Sequence, residues 1–164
     1  MDRVEAFNSL PAGDLSAVCA APSWVAAMTA GRPYPSRQAI VAAAEAALRD
    51  LSWPGVLAAL SAHPRIGERA AGDSKEAAWS RREQSAAAGS DEATTAALAE
   101  LNRAYEEKFG HVFLIFASGR SRAEILAAAR ERLGNDEAAE RPIVAEQLRR
   151  IALLRLERLL DELG

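Results

Sequence analysis

The sequence contains few of the side chains that form disulfides or bind metal ions. Cys19 is its one cysteine, and His63 and His111 are its two histidines. A single cysteine excludes an internal disulfide and a cysteine-rich metal site. The histidines are far apart, and neither belongs to an HExxH pattern. The neighbours of Cys19 are small and apolar, which indicates packing rather than reactivity. We therefore expect no bound metal.

Long apolar runs and a strong excess of charge are also missing. No apolar run has the length of a membrane-spanning helix, and the charged start, Met1 to Glu5, has no signal-peptide core. The net charge of -3 argues against nucleic acid as a partner. Phosphate loops, dinucleotide fingerprints and serine nucleophile elbows are absent. We expect a cytoplasmic protein with neither a membrane nor a nucleic-acid partner.

Aromatic residues are scarce, at 5% of 164 residues, whereas alanine is abundant, and this composition favours helix over sheet. Capping residues and apolar spacing predict helices over 2–9 and 14–21, from Pro22, after Ser36, from Pro54, after Asp73, after Ser90, and from Ser121 to Leu133. A long C-terminal helix begins near Asp136 or at Pro142. The prediction is one compact all-α domain over residues 1–164, with one short extended apolar segment.

That extended segment is the apolar run from Phe113 to Ala117, between Gly110 and a turn at Ser118–Gly119. No second stretch of the chain resembles a strand that could pair with it. Its backbone N–H and C=O groups therefore need other partners, such as side chains or a ligand. The apolar stripe of the preceding helix is interpreted as core and consists of Leu98, Leu101, Tyr105 and Phe109.

His63 follows an apolar helical run and precedes Pro64, which disfavours helical backbone at the histidine. Gly67 frees the backbone on the other side. A stiff loop that aims one titratable group suits catalysis. The alternative is a helix-ending turn with a surface histidine, and the pattern taken alone favours that alternative.

Arg155 lies within the apolar arc of the last helix, because Leu148, Ile151 and Leu159 precede and follow it at helical spacing. A buried arginine is costly unless it is paired, so it either binds a ligand, pairs with a structural carboxylate or extends to solvent.

A second polar set, Ser80, Glu83 and Gln84, shares one face of a predicted helix. Exposed helices commonly carry such residues, so this set alone does not indicate a site.

Taken together, these motifs resemble one family. They are His63-Pro64-Arg65-Ile66-Gly67, Ser80-x-x-Glu83-Gln84, Asn102-x-x-Tyr105-x-x-Lys108-Phe109-Gly110, the run 112–117, Arg132-Leu133-x-Asn135 with Glu140, and Ile151-Ala152-x-x-Arg155-Leu156. In order and spacing, over nearly the whole chain, they resemble the 2-oxo-4-hydroxy-4-carboxy-5-ureidoimidazoline (OHCU) decarboxylases. Phe7-Asn8 and Arg32-Pro33-Tyr34 fit as well. His111-Val112 departs from the Phe-Pro of many members.

The resemblance implies an all-helical enzyme, usually a homodimer, that needs no cofactor. It would decarboxylate a small ureidoimidazoline to (S)-allantoin during urate degradation. The catalytic residues would be His63 and Glu83. The substrate-binding residues would be Pro64, Ser80, Gln84, Phe113, Leu114, Ile115, Phe116, Ala117 and Arg155. Two alternatives stay open, namely a non-catalytic helical interaction module and a ureide hydrolase on the same scaffold.

Overall fold

The computed structural model describes residues 2–63, 79 and 92–163, and these residues form helices and no strand. The helices are α1 (Arg3–Asn8), α2 (Ala12–Val18), α3 (Pro22–Ala30), α4 (Arg37–Arg49), α5 (Trp53–Leu60), α6 (Glu92–Phe109), α7 (Arg122–Leu133) and α8 (Glu137–Glu162). The predicted all-α class is confirmed. Within the described ranges, no helix has the length and apolarity needed to cross a membrane.

The chain divides into two compact units, one of residues 1–59 and 148–164 and one of residues 60–147. The single domain over residues 1–164 stays a prediction. Of the helix predicted after Asp73, the described residues include Trp79 alone, which is helical and buried.

Local capping explains where several helices begin. The Asp2 side chain accepts a hydrogen bond from the Glu5 backbone N–H at 2.8 Å, and the Glu5 carboxylate accepts one from the Asp2 backbone N–H at 3.2 Å. Ser121 and Glu124 form the same reciprocal pair at the start of α7, as predicted. These contacts satisfy N–H groups that have no partner within the helix itself.

Helix α2 begins two residues earlier than predicted and ends at Val18 rather than at residue 21. Pro11 occupies the N-cap position with an extended backbone, so the helix begins directly after it. Cys19 and Ala21 are extended, and Ala21 precedes Pro22, a position at which helical backbone is disfavoured. The two prolines therefore limit this helix at both ends.

Helix α8 begins at the first of its two predicted starts. The Asp136 side chain accepts a hydrogen bond from the Ala139 backbone N–H at 2.8 Å. The helix therefore begins directly after Asp136 and extends from Glu137 to Glu162. Pro142 then lies in the second turn of the helix. Its missing N–H would otherwise have donated to the carbonyl of residue 138.

In the first unit, a side chain of α1 holds the turn between α3 and α4. The Asn8 amide accepts from the Tyr34 backbone N–H at 2.8 Å and donates to the Tyr34 carbonyl at 3.0 Å. Arg32 donates to the Leu10 carbonyl at 2.7 Å, and the Tyr34 hydroxyl donates to the Met28 carbonyl at 2.8 Å. These contacts give the Phe7-Asn8 and Arg32-Pro33-Tyr34 motifs a structural role.

In the second unit, α6 and α7 pack together around the extended apolar segment. Their buried cluster consists of Leu98, Tyr105, Phe113, Ile115, Ala117, Ile125, Leu126 and Ala129, with Leu101 and Phe109 partly buried against it. The predicted core stripe of α6 is therefore confirmed. The Lys108 ammonium donates to the carbonyls of Leu133 and Asn135, both at 2.6 Å, where α7 ends.

A buried ion pair lies beside this cluster. The Arg132 guanidinium donates to Glu140 Oε2 from Nε at 2.9 Å and from Nη2 at 2.7 Å, and the Glu140 residue is 1% exposed. The Tyr105 hydroxyl donates to the same oxygen, and Asn135 Nδ2 donates to Oε1 at 3.2 Å. Burial, and then the bond to Glu140, raise the pKa of Tyr105 well above its usual range. The carboxylate thus accepts hydrogen bonds from three side chains.

The substitution Glu140→Gln should destabilise the protein strongly. The new NH₂ group would face donors of Arg132, Tyr105 or Asn135 and would leave the guanidinium without its anion. Removing one partner of a buried ion pair costs about 3–5 kcal/mol of unfolding free energy.

The matched control is Glu137→Gln in the first turn of α8. Glu137 pairs with Arg141 on an exposed surface, so its loss should cost about 0.5 kcal/mol or less. Urea unfolding of both variants measures the difference. Equal urea midpoints and equal denaturant slopes for the two variants would contradict a structural role for the Glu140 carboxylate.

Candidate active site

His63 lies in the turn that follows α5, where the sequence predicted a loop. Helix α5 ends at Leu60, and the His63 backbone N–H donates to the Leu60 carbonyl at 3.0 Å. Half-buried at this position, the imidazole belongs to the unit of residues 60–147. The predicted helix end and histidine turn are thus both present.

The run from Phe113 to Ala117 is extended and non-helical, as predicted. Gly110 and Gly119 bracket it, and both have positive φ values, of 81° and 79°. Left-handed backbone of this kind favours glycine, so α6 can end and the chain can turn into and out of the segment. The segment is buried except for Phe116, which is half-buried.

Side chains of α7 and α8 bind the backbone of this segment along alternate residues. Arg132 Nη1 donates to the Leu114 carbonyl at 2.6 Å, and Gln147 Oε1 accepts from the Phe116 backbone N–H at 2.8 Å. The prediction that side chains serve as backbone partners is therefore confirmed for these two groups. Among the described residues, the backbone of Ile115 has no hydrogen-bond partner, although the residue is buried.

Two aromatic rings also contact the Arg132 guanidinium. The Arg132 guanidinium carbon lies 4.6 Å from the centre of the Phe113 ring and 5.8 Å from that of Tyr105. A cation over an aromatic ring is attracted by the ring electrons. These contacts therefore hold the Arg132 guanidinium in one orientation before any ligand binds.

Arg155 is buried in the other unit, as its place in the apolar arc predicted. It is 2% exposed, and Nη1 donates to the Ala17 carbonyl at 3.4 Å. Burial raises the pKa of the nearby Cys19 thiol to about 11, although a backbone hydrogen bond with Ala21 and then the charge of Arg155 lower it. Cys19 is thus a buried, neutral thiol, as the sequence predicted.

Four predicted site residues, Pro64, Ser80, Glu83 and Gln84, lie outside the described residues. Of the others, His63 and the segment 113–117 belong to one unit and Arg155 to the other. Their joint action on a substrate stays a proposal. In the described ranges, no group of three or more His, Cys, Asp or Glu side chains could hold a metal ion.

Sequence reasoning missed Gln147 entirely. The residue lies three positions after the buried Val144 and four before the buried Ile151, so its spacing places it in the apolar arc of α8. The same signal drew attention to Arg155. A polar residue at an apolar position could therefore have identified Gln147 as a second internal hydrogen-bonding group.

Comparison with known proteins identifies the family. Residues 11–157 match the family model described as OHCU decarboxylase. The chain is 35% identical over 148 residues to the uric acid degradation bifunctional protein TTL of Arabidopsis thaliana, covering 88% of this chain and 45% of that protein. It is 33% identical over 138 residues to the 2-oxo-4-hydroxy-4-carboxy-5-ureidoimidazoline decarboxylase of Amia calva, covering 83% of this chain and 79% of that protein.

Solved structures agree. A crystal structure of an OHCU decarboxylase in the presence of (S)-allantoin superposes with a TM-score of 0.75 at 32% identity, covering 88% of this chain and 94% of that one. A crystal structure of (S)-allantoin synthase, at 20% identity and a TM-score of 0.69, shares the fold. The chain belongs to the OHCU decarboxylase family, and the carboxy-lyase class predicted from its sequence is confirmed.

Proposed function

We propose that the protein decarboxylates OHCU to (S)-allantoin in urate degradation, without a cofactor. The match to the OHCU decarboxylase family along residues 11–157 carries this proposal. The chain spans less than half of the bifunctional Arabidopsis relative but most of the Amia calva decarboxylase. Decarboxylation is therefore the activity proposed for this chain.

The substrate's own structure removes the need for an external electron acceptor. When the C–C bond to the carboxylate breaks and CO2 leaves, the electron pair passes into the C=N bond beside the carboxylated carbon. Many other decarboxylases use pyridoxal phosphate or thiamine diphosphate for this purpose. The protein must orient the carboxylate, bind the ring and ureido groups, and deliver one proton to one face of the carbanion or enol that remains after CO2 leaves, which sets the chirality of the product.

His63 and Glu83 are the proposed acid–base residues. His63 would bind the hydroxyl or carboxylate side of the substrate and donate the proton, with Glu83 orienting it or sharing the proton. The reverse assignment, in which Glu83 donates the proton and His63 orients it, fits the same chemistry. The turn after α5 supports the role of His63, since a side chain on a short turn beside a helix end is well placed to be held in one direction.

Arg155 is the proposed substrate-binding cation. Its planar guanidinium can donate two parallel hydrogen bonds to a carboxylate or a ring carbonyl. Burial supports this role, because a low-dielectric environment strengthens a hydrogen bond from a charged donor. The remaining proposed contacts come from Pro64, Ser80, Gln84 and the backbone of residues 113–117.

A homodimer is also proposed, on the family resemblance alone, and the cytoplasm is proposed as the default compartment expected from the sequence. Light scattering tests the first part, since a dimer has twice the mass of the 17.5 kDa chain.

The purified chain should convert freshly generated OHCU to CO2 and (S)-allantoin in the presence of a strong chelator. CO2 release and the circular dichroism of the allantoin measure rate and chirality. Racemic product at the uncatalysed rate would contradict the proposed function. Activity that disappears in chelator and returns with Zn²⁺ or Mn²⁺ would contradict its cofactor-free form.

His63→Ala should give a folded helical protein with turnover lowered by roughly 10²–10⁴-fold, the usual contribution of one positioned acid–base group. The residue lies on a turn and is half-buried, so its truncation should leave no large core cavity. Circular dichroism and the decarboxylation assay measure fold and rate.

The chain's other histidine provides the control. His111→Ala removes an imidazole that contacts the Tyr105 ring and has no proposed catalytic role, so turnover per folded molecule should be retained. Normal turnover of a folded His63→Ala variant would rule out His63 as the acid–base group.

Arg155→Lys should lose nearly as much activity as Arg155→Ala, because an ammonium cannot reproduce two parallel hydrogen bonds. A loss of ~1.5–3 kcal/mol of binding, which is roughly a 10–150-fold fall in kcat/KM, is expected. Steady-state kinetics and thermal melting measure both variants.

Arg150→Lys, at an exposed position of the same helix, is the matched control and should retain activity. A purely structural Arg155 predicts another pattern, in which Arg155→Ala lowers stability by about 3–5 kcal/mol. A large fall in melting temperature with unchanged activity per folded molecule would remove Arg155 from the site.

A further inference from the structure

We infer that Gln147 is a positioning residue, which directs the backbone of the extended segment so that its free edge can bind the substrate. This inference rests on the proposed function. It concerns a side chain that is separate from the proposed site residues and that reaches the segment from α8.

The two side-chain bonds to the segment lie along one of its two edges. In an extended chain, the N–H and C=O groups of alternate residues lie along the same edge. Leu114 and Phe116 are alternate residues, and their bonds go to Arg132 and Gln147. The groups of Ile115 therefore lie along the opposite edge, where they have no partner among the described residues.

Buried backbone groups without a partner are rare, because each costs about as much free energy as a lost hydrogen bond. Ile115 is 4% exposed, so bulk water does not readily solvate its backbone. A substrate rich in ring and ureido N–H and C=O groups would supply the missing partners. This edge is thus preorganised for a ligand of that chemical class.

Gln147 and Arg132 contribute differently to this arrangement. Arg132 is committed to the buried Glu140 carboxylate, so its removal would disturb the whole unit. Gln147 is only partly buried, and its one hydrogen bond to the segment within the described residues is the 2.8 Å bond from Phe116. A substitution of Gln147 can therefore test how the segment is held without disturbing the fold of the whole unit.

The test compares Gln147→Leu with Gln147→Glu. Leucine has a similar size and helix propensity but no acceptor, whereas glutamate keeps an oxygen that can accept from Phe116. Gln147→Leu should raise KM about tenfold, which is the effect of one lost hydrogen bond, with kcat within about threefold of the unaltered chain. Gln147→Glu should restore KM to within about threefold. High ionic strength screens the added charge from an anionic substrate.

Gln38→Leu, the same change at an exposed position of α4, should leave both constants unaltered. A KM for Gln147→Leu within twofold of the unaltered chain would overturn the inference. So would a lower melting temperature with unchanged constants, since that is the effect of a merely structural residue.

Amide hydrogen exchange of Phe116, followed by NMR, distinguishes this inference from the proposed function. Exchange should become about tenfold faster in Gln147→Leu and return to normal in Gln147→Glu. If the unaltered chain fails to act on OHCU, the proposed function is wrong, and the exchange rates still decide whether Gln147 holds the segment. Equal exchange in all three proteins would overturn the inference.

Discussion

The buried pairing of Arg132 with Glu140 is the interaction on which the second unit depends. One carboxylate receives donors from the middle of α6, the end of α7 and the turn before α8, through Tyr105, Arg132 and Asn135. The remaining arm of the guanidinium donates to the Leu114 carbonyl. Removing such charges from water is costly, and well-packed apolar residues often stabilise a core as much. The gain here is geometric, because the pair determines where a non-helical segment lies.

Helix α8 carries three polar residues in its apolar arc, and each meets a different need. Glu140 neutralises a buried arginine, Gln147 accepts a backbone N–H, and Arg155 presents a cation among the buried side chains of the other unit. The separation of seven residues places Glu140 and Gln147 on one face of a helix with 3.6 residues per turn. A single long helix can therefore contribute a structural anion, a positioning amide and a proposed substrate-binding cation.

Local features of this fold could be predicted from the sequence, and long-range ones could not. The Ser121 capping box involves residues three positions apart, so the sequence alone determines it. The burial of Arg155 follows from helical periodicity. The predicted start of α2 lies two residues too late, because Pro11 occupies the N-cap position of that helix. The hydrogen bond of Gln147 joins groups 31 residues apart in the sequence. The local sequence around a glutamine is the same whether its side chain binds water or a distant backbone group. The Ser80 and Glu83 motif acquired meaning only through the family resemblance.

An all-helical domain has few backbone groups to offer a ligand, because each helix uses its own N–H and C=O groups except at its ends. A substrate composed largely of amide-like groups is well matched to free backbone, so a helical enzyme that binds it needs a short stretch of non-helical chain inside its core. Such a stretch is unstable alone, since it has no paired strand. Two glycines at positive φ separate it from the neighbouring helices, and the side chains of Arg132 and Gln147 each bind one backbone group along one of its edges. The other edge, at Ile115, can then bind a ligand without any further loss of backbone freedom.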